Sequence, residues 1–453
     1  MGGANSPLAR WRPALTRLAG GREAWRSPAS VPRPVLTGAF VAAAGFAAGM
    51  ALISTNRLHQ AWALYACASY GAGALAVLLW KRHGADLALA LSLAGALLVP
   101  LYVMVTSQRR QPEVTVIATS AAMLVHHGTP YVGPATLAAT HNPNIFDPYL
   151  PLMTAFGLPN ALLGLHILTD PRVWFGLGFV LVFAVSLALA GVSDVTRWTG
   201  LVTASPVIAF TVVVGGTDVP VLACQCLGLA LLWRRSRPLA AGVALGAAAA
   251  MKATAWPALA VALILVLARD GRRPAVRMLL SALAVVAAIV GPVAALWPRA
   301  LVQNTIEFPL GLASVRSDAS SPLPGHLLEQ TGPVGHTVAV VLLCLTALGL
   351  AVYMVARPPR TVPAATSLLI IGLTAMVVLA PATRFGYFLY PLGLFAWLGI
   401  SRYGCPPAAP PGAGPPSAAA VAPPPVVAPR VEAVGPRGGV RQPSGVAPVV
   451  APE

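Results

Sequence analysis

Residues 87–105, LALALSLAGALLVPLYVMV, form a run of nineteen residues without a charge. At about 1.5 Å per residue such a run makes a helix roughly 28 Å long, close to the thickness of a bilayer's hydrocarbon core. The run is continuous instead of alternating, so it does not read as a strand of a transmembrane barrel. Comparable runs lie on both sides of it, at about 35–53 and 61–80 before it and about 174–190, 219–233, 337–355, 362–379 and 385–400 after it. Composition agrees: 57% of the 453 residues are hydrophobic and 9% are charged, with a mean hydropathy of +0.74, against about 25% charged residues in soluble domains. So few charges cannot coat a soluble protein of this size. The sequence predicts an all-α, polytopic integral membrane protein of about 10–11 transmembrane helices.

The formal net charge of +17 does not point to a nucleic-acid partner. The basic residues fall in short clusters between apolar runs, at Lys81 and Arg82, at Arg234, Arg235 and Arg237, at Arg269, Arg272, Arg273 and Arg277, and at Arg357 and Arg360. Such clusters mark cytoplasmic loops. Residues 1–35 hold six arginines against the single acid Glu23 and lack a cleavage site after a short apolar core; they read as a cytoplasmic basic arm. Residues 36–402 form the transmembrane domain. Residues 403–453, with 14 of the 44 prolines in a background of Ala, Val and Gly, are expected to be a disordered cytoplasmic tail. Lysine occurs only at Lys81 and Lys252, and the Arg, Ala, Gly and Pro content suggests a high-GC bacterial genome and hence a bacterial plasma membrane.

Counting crossings from the arm places two long polar stretches, about 107–147 and 298–335, on the outer face, and loops of that length are usually functional. A span at about 148–167 is expected to return the chain to a cytoplasmic turn at 169–172. The number of spans around residues 199–233 stays undecided, because the run at 201–214 is short. Cys67, Cys224, Cys226, Cys344 and Cys405 lie in or beside apolar segments, where neither a disulfide framework nor a zinc site is expected. Adjacent His126 and His127 diverge by about 100° on a helix and make a poor metal site. Phosphate loops of the Walker type and serine-hydrolase elbows do not occur.

With so few ionisable groups, each acid or base near a membrane segment is a candidate. Glu113 suits a general base at the membrane surface, or a solvated acid offsetting Arg109 and Arg110. Asp147, before Pro148, and Asp218, before Val219-Pro220, each fit a helix N-cap as well as a chemical role. Lys252, inside an apolar stretch, must snorkel to an interface or meet an anion, a phosphate being one candidate. Arg384 lies at the outer end of a span, against the positive-inside tendency, which favours an anionic ligand. His326 could serve a leaving phosphate or an acceptor site, or neither.

The order of these features resembles the polyprenyl-phosphate-mannose-dependent mannosyltransferases of glycosyltransferase family 87, in the membrane-embedded C-type superfamily. The resemblance rests on Glu113 to Tyr131 with Gly128, on Phe146 to Pro159, on Gly216 to Lys252 with Asp218, Gly242 and Gly246, and on Pro381 to Tyr390, together covering roughly residues 85 to 400. The family usually has Asp where this chain has Glu113. The resemblance implies inverting transfer of a sugar, mannose, from a polyprenyl-phosphate donor to a lipid or cell-envelope glycan acceptor on the outer face. It implies Glu113 as the catalytic base, with Asp147 and Asp218 as further catalytic candidates. Lys252, Arg384, Arg316 and His326 would hold the donor phosphate, and Tyr131 and Tyr149 would bind substrate. A divalent metal is left open: some C-type relatives use one, and no ligand cluster here decides it. Two other classes compete. A transporter or flippase of an envelope precursor would show two related halves, and no internal repeat stands out; an inactive scaffold would use the Pro-rich tail as its contact surface.

Overall fold

The computed structural model describes residues 27–404 apart from Leu165, Arg235, Ser314 and Arg316. Most of the expected basic arm (1–26) and the tail from residue 405, with Cys405, lie outside the described residues. In chain order the main helices are α1 (Arg33–Ile53), α2 (Arg57–Leu79), α3 (Gly84–Thr106), α4 (Pro112–His127), α5 (Pro171–Ala190), α6 (Val195–Thr203), α7 (Pro206–Val214), α8 (Asp218–Leu231), α9 (Pro238–Met251), α10 (Ala253–Asp270), α11 (Arg272–Leu296), α12 (Pro333–Ala356), α13 (Val362–Leu379) and α14 (Leu389–Tyr403). Apart from one β-bridge between Ser320 and Thr383, regular structure among the described residues is helical.

Eight of these helices (α1–α3, α5 and α10–α13) are long and apolar enough to cross a membrane, or nine spans if the bent pair α6–α7 counts as one. The shorter apolar helices α8 and α9 lie among them. Helix α12 exposes Leu342, Leu345, Leu348 and Val352 along its length, a surface that suits lipid. The protein is a multi-pass membrane protein.

Local chemistry explains the elements. Asp170 caps α5 by accepting from the Arg172 amide, Pro171 occupies the first helical position, and Gly191 closes the helix in the left-handed region at φ 85°. Within α3 the turn Leu93–Leu98 widens to a π-helix, and the Ala96 carbonyl there accepts from Trp62 Nε1 at 2.9 Å. Gly242 and Gly246, four apart on one face of α9, meet the backbone of α11: a Cβ would stand 2.2 Å from the Met278 oxygen and 2.7 Å from that of Ala282.

The expected span at 148–167 does not form. Pro151, Gly157, Pro159 and Gly164 break the apolar run into a 3-10 segment, Pro151–Gly157, and a single short helix, Leu158–Leu163. Arg172, just beyond, donates to the carbonyls of Arg109 and Val213, so the turn at 169–172 lies at the same end of the bundle as residues 107–111. The expectation that residues 107–147 and 169–172 lie at opposite ends is therefore corrected. The order of spans around 199–233 then resolves. Helix α5 runs to the opposite end, where Arg197 bridges Asp86 and Asp194 and Ser193 bonds to Gly404. Helices α6 and α7, bent by 61°, return together, and α8 descends again. The basic clusters that follow α2, α8 and α10 share that opposite end.

Candidate active site

The site forms where three irregular segments meet at the end of the bundle away from the basic clusters. The first leads into α4. Arg172 is fully buried and held by Asp170 through two bonds, Nε to Oδ1 at 2.8 Å and Nη2 to Oδ2 at 2.9 Å. Its remaining nitrogen bonds the Arg109 and Val213 carbonyls, and the Gln111 amide donates to Val214. The start of α4, with Glu113 in its first turn, is thereby fixed over the end of α7.

The second segment joins α13 to α14. The Ser321 amide donates to the Thr383 carbonyl and the Thr383 amide donates to the Ala319 carbonyl, on either side of the Ser320–Thr383 bridge, and the Phe385 amide donates to Ser321 Oγ at 3.0 Å. This strap aims Arg384 across the opening, where its guanidinium pairs with the Glu113 carboxylate. The second Glu113 oxygen is buried and has no hydrogen-bond partner among the described residues.

The third segment, residues 140–150, supplies Asn144, Phe146 and Tyr149; Phe146 stacks on Phe308 with centroids 4.6 Å apart. Together they surround an open cleft with a cavity volume of about 70 Å³ whose lining includes Glu113, Arg384, Tyr149, Tyr387, Ser317 and Asp318. It therefore carries two carboxylates, a guanidinium and two phenols at the edge of an apolar bundle.

Beneath the cleft lies a second charged pair. Helix α9 stops at Met251, whose carbonyl accepts from the Leu150 amide at 2.9 Å, and Lys252 is extended at φ −157°, ψ 141°. Its Nζ sits 2.6 Å from Asp218 Oδ1, an oxygen that also accepts from the Tyr390 hydroxyl. The ammonium faces the rings of Tyr149 and Tyr387, at 5.2 and 4.9 Å from their centroids. This corrects one expectation and decides between the two readings of Lys252. Asp218 is not an N-cap: Thr217 occupies that position and the Asp218 carboxylate is used by Lys252 and Tyr390. Lys252 meets an anion inside the protein, the Asp218 carboxylate. Neither residue lines the cleft; the two tyrosine rings stand at its floor above Lys252.

Other predicted residues are placed differently from expectation. Asp147 caps no helix, since the next 3-10 segment begins at Pro151. It is buried behind the cleft wall, accepting from Ser120 Oγ at 2.7 Å and the Tyr149 amide at 2.9 Å, while its own amide donates to Asn304 Oδ1. Burial pushes its carboxyl up to about 7, against the opposing pull of those two donors. Tyr131 does not reach the cleft; it is buried, and its hydroxyl donates to the Tyr149 carbonyl at 2.8 Å. His326 also stays out of it, with Nδ1 2.9 Å from the Pro381 carbonyl and Nε2 3.1 Å from Gln330. Arg316 lies outside the described residues. The four described cysteines are free. No group of three His, Cys, Asp or Glu side chains suited to a metal ion occurs among the described residues.

Three participants escape a reading of the sequence. Tyr387 and Tyr390 look like ordinary aromatic residues of an apolar run; their spacing of three, directly after Arg384, is the available signal. His59 opens α2, 2.9 Å from Gln111 and edge-on to Phe210, a neighbour of Glu113 that only tertiary contact reveals.

A family model described as glycosyltransferase family 87 matches residues 148–381, just over half of the chain. The chain belongs to glycosyltransferase family 87. It is a membrane glycosyltransferase, which sets aside the transporter reading. The stretch matched to family 87 contains Tyr149, Asp218 and Lys252, while Glu113 and Arg384 flank it on either side. No curated protein and no solved structure matches this family 87 chain.

Proposed function

We propose that this family 87 enzyme transfers a sugar, mannose, from a polyprenyl-phosphate donor to a lipid or cell-envelope glycan acceptor at the outer face of a bacterial plasma membrane, with inversion at the anomeric carbon. The observation that carries this reading is the meeting of Glu113 and Arg384 in one open cleft at the end of the bundle away from the basic clusters. A lipid-phosphate donor brings an anion to the membrane surface, and Arg384 offers a planar, always charged guanidinium to receive it.

In the structure Glu113 and Arg384 neutralise each other. When a donor phosphate takes the guanidinium, the carboxylate is released to accept a proton within about 3 Å of an acceptor hydroxyl. The hydroxyl oxygen then bonds to the anomeric carbon as the bond from that carbon to the phosphate oxygen breaks. The electron pair leaves on the lipid phosphate and the proton passes to Glu113. Arg384 stabilises the phosphate charge as it grows, and Lys252, one layer below and paired with Asp218, holds Tyr149 and Tyr387 in place.

The test is transfer of radiolabelled mannose from polyprenyl-phosphate-mannose to endogenous lipid acceptors, comparing membranes carrying wild-type protein with membranes carrying equally abundant Glu113→Gln. A loss of about 100-fold or more is expected. Undiminished transfer by the variant would move the base to Asp318, the other carboxylate in the cleft. The same assay with EDTA reports whether a divalent metal takes part.

A further inference from the structure

Gln111 stands at the N-cap position of α4, two residues before Glu113, yet its side chain caps nothing. Its Nε2 lies instead 2.9 Å from His59 Nε2, across 52 positions of sequence. A side-chain amide nitrogen only donates, so His59 Nε2 accepts and the ring proton sits on Nδ1, 3.3 Å from Ser54 Oγ. Ser54 Oγ also accepts from the Asn56 amide at 3.2 Å. Packing holds the ring as well: it stands edge-on to Phe210 of α7 with centroids 4.9 Å apart, and Trp62, one turn further along α2, meets the same Phe210 at 4.9 Å. A chain of contacts thus runs from the turn between α1 and α2, through Ser54 and His59, to the residue from which α4 starts.

The backbone at that start is pinned by Arg172 and Val214, on the side of α5 and α7. Those bonds hold Arg109 and the Gln111 amide; the Gln111 side chain is anchored separately, by His59. His59 does not line the cleft. The charges of Arg384 and Glu113 bear on its ring, but its contact with the site is made through Gln111. Proton transfer to Glu113 needs the carboxylate held close to the acceptor hydroxyl, and a misplacement of 1 Å costs about 100-fold in rate. We infer that His59 is a positioning residue for Glu113, and that the pair α1–α2, which lies outside the stretch matched to family 87, is thereby part of the catalytic apparatus. The inference rests on Glu113 as the proposed base and adds what sets its place.

Two substitutions separate this role from the filling of space. His59→Phe keeps a flat ring against Phe210 and removes the acceptor, whereas His59→Gln gives up the ring and still accepts from Gln111. In the mannosyl-transfer assay His59→Phe is expected to lower kcat about tenfold with KM for the donor unchanged, Gln111→Leu to match it, and His59→Gln to retain most of the wild-type kcat. The reverse order, with His59→Phe active and His59→Gln impaired, would reduce His59 to packing, and a raised KM at unchanged kcat would make it a substrate contact; either result overturns the inference. Hydrogen–deuterium exchange of peptides covering residues 109–116 supplies a readout that needs no sugar transfer. Faster exchange there in His59→Phe, with wild-type rates in His59→Gln, is the expected pattern, and unchanged exchange in His59→Phe would overturn the inference. If wild-type membranes transfer no mannose while the exchange pattern holds, the donor reading fails and the anchoring of Glu113 by His59 stands.

Discussion

The guanidinium of Arg384 and the carboxylate of Glu113 form an ion pair between residues 271 positions apart, joining the turn before α14 to the first turn of α4. The pair is partly open to the cleft, with about a third of the Arg384 side chain exposed. The guanidinium is not committed to the interior, so it remains available to a ligand. That distinguishes this pair from Asp170–Arg172 and Asp218–Lys252, whose charges are buried and spent on structure.

Arg384→Gln should therefore damage catalysis more than folding. Removing one preorganised charge at a leaving phosphate costs about 100- to 1,000-fold in rate, and steady-state transfer assays on Arg384→Gln and Arg384→Lys would measure it. Arg384→Lys is expected to recover only part of the loss, because a point charge does not reproduce the planar fork. Wild-type kinetics in both variants would remove Arg384 from the site.

His326→Ala should act through the strap that carries Arg384. Its bond to the Pro381 carbonyl is worth about 1 kcal/mol, so a loss of less than tenfold in kcat/KM is expected, with His326→Asn, which can still donate, close to wild type. A loss as large as that of Arg384→Gln would mean that His326 meets substrate directly.

The Asp218–Lys252 pair predicts a reversal. Breaking a buried ion pair from one side costs about 3–5 kcal/mol, because the partner charge stays behind. Asp218→Asn and Lys252→Met should each lower the unfolding temperature of the detergent-solubilised protein, and the double variant should regain most of the loss. Additive losses would show that the two charges do not depend on each other.

Asp147 predicts a pH dependence of stability. Burial raises its carboxyl from 3.8 to about 7, so the folded chain holds a proton there that the unfolded chain has already released. Its contribution is complete below about pH 4 and is lost as pH rises through about 7. Unfolding temperatures between pH 4 and 8 should fall more steeply for wild type than for Asp147→Asn, which keeps the neutral shape. Parallel curves for the two proteins would contradict the assignment.

Charge-free runs of helical length and clustered arginines were enough to make this chain an all-α, multi-pass membrane protein, because a bilayer demands apolar length and internally satisfied backbone whatever the tertiary fold. Glu113, Arg384, Asp218 and Lys252 also stood out in the sequence, since charge beside apolar segments is costly enough to need a reason. What each charge does was decided only by the fold. Lys252 and Asp218 lie 34 residues apart, and nothing local says that they meet. The apolar residues of 148–167 resemble a span in composition, yet their prolines and glycines cut the helix too short to cross, and that one segment changes the end of the bundle to which residues 169–172 belong. Partners brought together by three-dimensional packing, such as Tyr390 with Asp218 and Arg384 with Glu113, leave no periodicity in the chain, because contact across a bundle depends on how helices are aimed and not on how far apart residues are in sequence.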